Sequence, residues 1–122
     1  MQFAYLIYES PEAFACRKTD GQDPYTSAWR AYAKALFESG AHVGGDPLEV
    51  PETGTTVRIE GTNRRVQDGP YADTKEQLAG FIVLELPSMD AALEWAARCP
   101  AAAMGAVEVR PISPETKRRI EQ

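Results

Sequence analysis

The sequence has a single histidine, His42, and two cysteines, Cys16 and Cys99, far apart in the chain. Zinc and transition-metal centres draw on clustered His and Cys, so no metal site is expected, and no cofactor motif stands out. Long apolar runs are missing too. Nothing approaches the roughly 20 consecutive apolar residues of a membrane span, and Met1-Gln2-Phe3 lacks the basic region of a signal peptide. The expectation is a cytoplasmic protein whose two thiols stay reduced. Basic charge is in deficit. With 13 Lys and Arg against 18 Asp and Glu the net charge is −5, and a chain of that sign repels polyanions, so direct nucleic-acid binding is not expected. No internal repeat or low-complexity segment is present.

What is there suits one domain over residues 1–122, with 43% hydrophobic and 25% charged residues and a length sufficient for one core. Residues 2–8 put Phe3, Tyr5 and Ile7 on one face and Ala4, Leu6 and Tyr8 on the other; apolar on both faces, this is a central strand. Residues 9–24 read as a long loop with at most one helical turn near Ala13 to Cys16. From Tyr25 to Ser39, Trp29, Tyr32, Ala33, Leu36 and Phe37 keep the spacing of an amphipathic helix, which Gly40 ends. A weaker strand, kinked by glycines, follows from Ala41 toward Leu48.

Residues 55–59 and 64–67 flank Glu60-Gly61-Thr62-Asn63 and predict a hairpin forming an exposed edge pair. Gly80 to Leu86 predicts a second central strand. Ser88 is placed to cap a helix from Met89 to Arg98, a last strand spans Ala106 to Ile112, and the charged tail from Ser113 reads as a frayed helical turn. This order gives an α+β fold, a mainly antiparallel sheet with two helices on one face. The other face keeps apolar side chains, and a large bare apolar sheet face is rare on a soluble monomer. A homodimer joined through that open face is expected.

The densest cluster of ionisable groups beside an aromatic lies in Asp68-Gly69-Pro70-Tyr71-Ala72-Asp73-Thr74-Lys75-Glu76-Gln77. Asp-Gly-Pro is turn chemistry, and Asp73 with Glu76 has the spacing of a capping box, so a short helical turn is expected there. As a ligand site, Asp68, Asp73 and Glu76 offer carboxylates, Lys75 a cation for an anionic ligand, Thr74 a hydroxyl and Tyr71 a stacking ring. As structure, the same residues are a turn, a cap and a solvated face. Both readings stand on the sequence alone. Cys99, at a helix end, has nothing to lower its pKa. Cys16, beside Arg17 and Lys18, is the better candidate for a lowered one.

This stretch resembles the signature of the YCII-related proteins, in the branch named for its Asp-Gly-Pro-Phe motif; here Tyr71 replaces Phe, and Asp73 stands where Glu is more usual. The likeness continues in Tyr5-Leu6-Ile7-Tyr8, Glu94-Trp95-Ala96-Ala97-Arg98 and Gly105 to Pro111. It implies ferredoxin-like subunits that pair into a dimeric α+β barrel. In better-studied relatives a histidine early in the first helix and an aspartate after the second are thought to form a catalytic pair. Laid on this chain, those positions are Trp29 and Cys99, so that pair is absent and its mechanism does not carry over. The resulting expectation is a small dimeric protein binding an organic ligand, anionic ones included, in a cleft beside Asp68 to Gln77, with or without turnover. The alternative is a regulatory or interaction protein accessory to sigma-factor-dependent transcription, an idea that rests on the resemblance alone.

Overall fold

The computed structural model describes all 122 residues, Met1–Gln122. The chain runs β1 (Gln2–Glu9), α1 (Pro11–Ala15), a 3-10 turn (Cys16–Thr19), α2 (Pro24–Ser39), β2 (His42–Pro47) and a second 3-10 turn (Pro51–Thr53). It continues through β3 (Thr55–Glu60), β4 (Asn63–Asp68), β5 (Gln77–Glu85), α3 (Met89–Arg98), α4 (Ala101–Met104), β6 (Gly105–Pro111) and α5 (Pro114–Glu121). Four strands form one sheet in the order β2-β5-β1-β6, every neighbouring pair antiparallel. Without the β3–β4 hairpin, the succession strand, helix, strand, strand, helix, strand in this order is the ferredoxin-like α+β topology.

Each element has a local cause. In β1 the two-residue period buries Phe3, Tyr5, Ile7 and Glu9 and leaves the intervening side chains half-buried. α2 begins where the Asp23 carboxylate accepts the Thr26 N–H at 2.7 Å, with Pro24 in the first turn, and ends at Gly40, whose φ of 78° suits a residue without Cβ. α3 is capped by Ser88 as expected, its Oγ accepting from the Ala91 N–H. Onto one sheet face pack Tyr32 and Leu36 from α2 and Ala92 and Ala96 from α3, against Phe3, Tyr5 and Leu84. Two tyrosine hydroxyls tie α3 to its neighbours: Tyr5 of the sheet donates to the Ala92 carbonyl and Tyr32 of α2 to the Trp95 carbonyl at 2.8 Å. The opposite face carries Ala4, Leu6, Tyr8 and Val83, half-buried, and Phe81, 37% exposed.

Several expectations are corrected. No helical turn follows Asp73: residues 69–76 are irregular, the Thr74 hydroxyl donates to the Glu76 carbonyl at 2.6 Å, and β5 already begins at Gln77, paired with Glu9. The strand ladder claims the residues a helix would need. The stretch after Glu9 is more ordered than a loop, because Ser10 caps α1 and the chain then winds through the 3-10 turn. The β3–β4 hairpin is not an edge of the main sheet but a separate two-stranded ribbon. It is held at its base by the Gly69 N–H to the Gly54 carbonyl at 2.7 Å. The tail is a full helix, capped by the Ser113 hydroxyl. The short α4 was not anticipated; it follows Pro100 directly.

Two expected outcomes follow from this packing. Leu84 is fully buried whereas Ile59 on the hairpin is 66% exposed, so Leu84→Ala should cost about 2–5 kcal/mol and Ile59→Ala no more than about 0.5 kcal/mol in urea unfolding. Hydroxyl donation from Thr19, then the Thr26 N–H, holds the Asp23 carboxyl well below its ordinary 3.8. The unfolded chain therefore binds that proton first, and the contribution, present above about pH 4, is lost as pH falls further. Below pH 4 the midpoint of Asp23→Asn should accordingly fall less steeply with acid than that of the unaltered protein.

Candidate functional site

Between α2 and the β2–β5 side of the sheet lies a cleft of about 550 Å³. Its walls are mainly apolar, with Trp29 and Phe37 from α2 facing Ile7 and Ile82 from the strands. Gly45 and Gly80 lie along the strand side. A Cβ on Gly45, at φ 136°, would sit 2.3 Å from the Phe81 carbonyl oxygen, and one on Gly80 would sit 2.9 Å from that of Asp46. The strands approach too closely for side chains at these positions, and bare backbone remains.

The cleft's buried charge is Glu9. The period that buries Phe3, Tyr5 and Ile7 carries one step further and brings the last residue of β1 to the same face, only 6% exposed. The turn from α1 into α2, with Asp20 at φ 56° and Gly21 at φ 81°, returns Arg17 and Tyr25 to it. The Tyr25 hydroxyl donates to Glu9 Oε2 at 2.6 Å. Burial, and next this bond, push the Tyr25 phenol far up, which keeps it a donor. Arg17 Nη2 stands 3.6 Å from Glu9 Oε1, but its guanidinium is aimed elsewhere: Nη1 donates to the Leu48 carbonyl and Nη2 to that of Ala79 at 3.3 Å, with the group 4.9 Å from the centre of the Phe14 ring. A register shift beside Ile7 and Tyr8 supplies the Ala79 position, an extra residue of β5 between Leu78 and Gly80. Glu9 Oε1 is left buried with no hydrogen-bond partner.

Aromatic side chains lead from the cleft into the core. Trp29 meets Tyr25 edge-on at 6.5 Å and Tyr32 at 5.7 Å, and Tyr32 meets Trp95 at 6.0 Å. At the other end of α2, His42 lies against the Phe37 ring at 4.4 Å. Cys16 borders the cleft, and its thiol is raised rather than lowered, by burial and then by Asp23. The expected effect of Arg17 and Lys18 is overturned because burial first, and acidic neighbours second, act against the thiolate. Cys99 is buried in the core, where desolvation pushes its thiol up to about 11. With Trp29 carrying no ionisable group, the two positions matched to the family's catalytic pair hold no acid–base couple.

The motif residues lie elsewhere, and none lines the cleft. Asp68 closes β4 and is exposed, Asp73 is exposed, and Tyr71 is 75% exposed with the Arg58 guanidinium 5.5 Å from its ring centre. Thr74, Lys75 and Glu76 border a shallow recess with Tyr8 and Ala106 on the open side of the sheet. The Glu12 carboxyl in α1 is held low by its own backbone N–H, then by the Ser10 hydroxyl, with a smaller contribution from the Lys75 charge. Glu9, Arg17 and Tyr25 escape a reading by motif density, because they are scattered along the chain. One signal for Glu9 was available: it continues the 3, 5, 7 alternation of the first strand.

Comparison with known proteins agrees with this architecture. A family model described as the YCII-related domain matches residues 1–116. An uncharacterized protein of Rhizobium meliloti (strain 1021) is 31% identical over 116 residues, 93% of each chain. Among solved structures, 5-chloro-2-hydroxyhydroquinone dehydrochlorinase from Burkholderia phenoliruptrix AC1100, in complex with 2,5-dihydroxybenzoquinone, superposes with a TM-score of 0.52. That match is 19% identical and covers 93% of this chain and 94% of the other, a likeness of fold. With a matching domain over nearly its whole length, the chain belongs to the YCII-related family.

Proposed function

We propose that this protein binds a small organic molecule in the cleft beneath α2. The observation that carries the reading is Glu9: a carboxylate oxygen buried in an apolar-walled cleft without a hydrogen-bond partner. Burying such an acceptor unsatisfied costs about 1–3 kcal/mol, which a ligand's donor would recover. The volume lies within the range of small-molecule sites, where mainly apolar walls carry a few placed polar groups. The dehydrochlorinase of similar fold, seen with 2,5-dihydroxybenzoquinone, supports a small ligand by analogy. The preferred seat thus moves from the Asp68–Gln77 stretch to Glu9. The recess bordered by Thr74, Lys75 and Glu76 is the competing seat.

We further propose that two copies meet through the open sheet face. Leu6, Tyr8, Phe81 and Val83 lie on the side of the sheet away from α2 and α3 and form its apolar surface. Two such faces closing on each other give the dimeric barrel implied by the family resemblance.

A thermal-shift screen against a metabolite library separates the two ligand seats. A ligand at a hundred times its dissociation constant adds about 2.7 kcal/mol and raises the midpoint by several degrees. Hits should disappear in Ala33→Phe, which fills the cleft from α2, and persist in Asp68→Asn and Lys75→Ala. The opposite pattern would place the ligand at the motif, and an empty screen would shift weight to the interaction protein. Light scattering at micromolar concentration should give twice the chain mass, and Leu6→Lys should reduce it to one; a monodisperse monomer before mutation ends the dimer proposal.

A further inference from the structure

Resting on the cleft as the ligand seat, we infer that its ligand class is a planar ring bearing a neutral hydroxyl, phenolic or enolic, whose O–H donates to Glu9 Oε1. Four features of the cleft select this class. First, Oε1 can only accept, and Oε2 already receives the Tyr25 hydroxyl. A group bound there must therefore bring a proton; a ketone or an ether would set acceptor against acceptor. Second, the donor must be uncharged. The Arg17 guanidinium, 3.6 Å from Oε1, already offsets the Glu9 charge, and Arg30 and Asp46, which also line the cleft, offset each other, so an ammonium would leave the site with an unbalanced positive charge.

Third, Arg17 pairs with Glu9 Oε1 in charge, at 3.6 Å, but gives it no hydrogen bond. Its donors are turned to the Leu48 and Ala79 carbonyls, so the acceptor stays free while the guanidinium remains close enough to favour negative charge. A ring hydroxyl, which sheds electron density onto its ring as it donates, suits that surrounding. Fourth, the space beyond Glu9 suits a flat apolar body. Trp29 and Phe37 offer aromatic surface, and Gly45 and Gly80 leave strand backbone without side chains along the cleft. Stacking on aromatic faces and close approach to bare backbone both favour planar ligands over branched ones.

The test uses matched probes on the full chain: hydroquinone, 1,4-dimethoxybenzene and benzylammonium. Binding is followed by thermal shift and by quenching of tryptophan emission, since Trp29 lines the cleft. Hydroquinone should bind at least about tenfold more tightly than its dimethyl ether, the consequence of pairing one buried acceptor. In Glu9→Leu, which removes the acceptor altogether, the ratio should collapse to within about twofold. Tyr25→Phe, which frees Oε2 and leaves the carboxylate, should keep the preference. If Glu9→Leu fails to fold, the probe ratio in the unaltered protein and in Tyr25→Phe still decides. Equal binding of the diol and its ether, with both lost in Ala33→Phe, would overturn the hydroxyl assignment and leave the cleft standing. Tightest binding by benzylammonium would overturn it as well. Failure of every probe in the unaltered protein overturns the ring-hydroxyl class; the cleft itself then stands or falls with the metabolite screen and its Ala33→Phe arm.

Discussion

The structure depends on the strict alternation of β1. This strand lies between β5 and β6 in the sheet, and every second side chain from Phe3 onward is driven to the helix side. Phe3 and Tyr5 are fully buried by it, and α2 and α3 are sited by the need to cover them. The same alternation delivers Glu9 to the cleft. A carboxylate would not choose that position on its own account, since desolvating a charge is costly. It is carried there because a one-residue slip would send Phe3, Tyr5 and Ile7 to the opposite face. Core formation and site formation are therefore one event, and the apolar residues bear the energetic cost of the polar one.

The groups around Glu9 offset part of that cost without removing it. Tyr25 gives one hydrogen bond, and Arg17 gives charge at a distance, while its donors staple the 3-10 turn after α1 to Leu48, just past β2, and to Ala79 in β5. A guanidinium shared among two carbonyls, an aromatic face and a carboxylate is fixed in position by several modest bonds, so it sets the field of the cleft without filling it. Tyr5 and Tyr32 do comparable work deeper in, each spending its hydroxyl on an α3 carbonyl. Polar groups thus orient layers that the apolar contacts alone would leave free to slide.

Most of the fold was legible in the sequence because its signals are local. Both central strands, the α2 stripe ending at Gly40, the Ser88 cap and the Asp68-Gly69 turn, with Gly69 at φ 99°, depend on residues within a few positions of one another. The capping spacing of Asp73 and Glu76 misled, since pairing of Gln77 with Glu9 on a distant strand outweighed a local preference. The separation of the β3–β4 ribbon from the sheet was illegible for the same reason; no local pattern says which sheet a hairpin joins. The candidate site was the least legible part. Glu9, Arg17 and Tyr25 each look unremarkable in sequence and gain meaning only when the α1 turn folds back over the end of β1.

The stretch between β2 and β5, residues 48–76, leaves the sheet and returns close to where it left, with the Leu48 N–H donating to the Ala79 carbonyl at 2.8 Å. Everything between, the hairpin and the Asp-Gly-Pro turn included, hangs from a closed neck. Lengthening such a loop raises its closure entropy only logarithmically, by about 0.6 kcal/mol per doubling. Descendants of this chain can therefore gain or shed residues there, and so redraw the surface around the motif, while the neck keeps Ala79 in register with Arg17. The segment whose length can change and the geometry that must not are separated by a single backbone hydrogen bond.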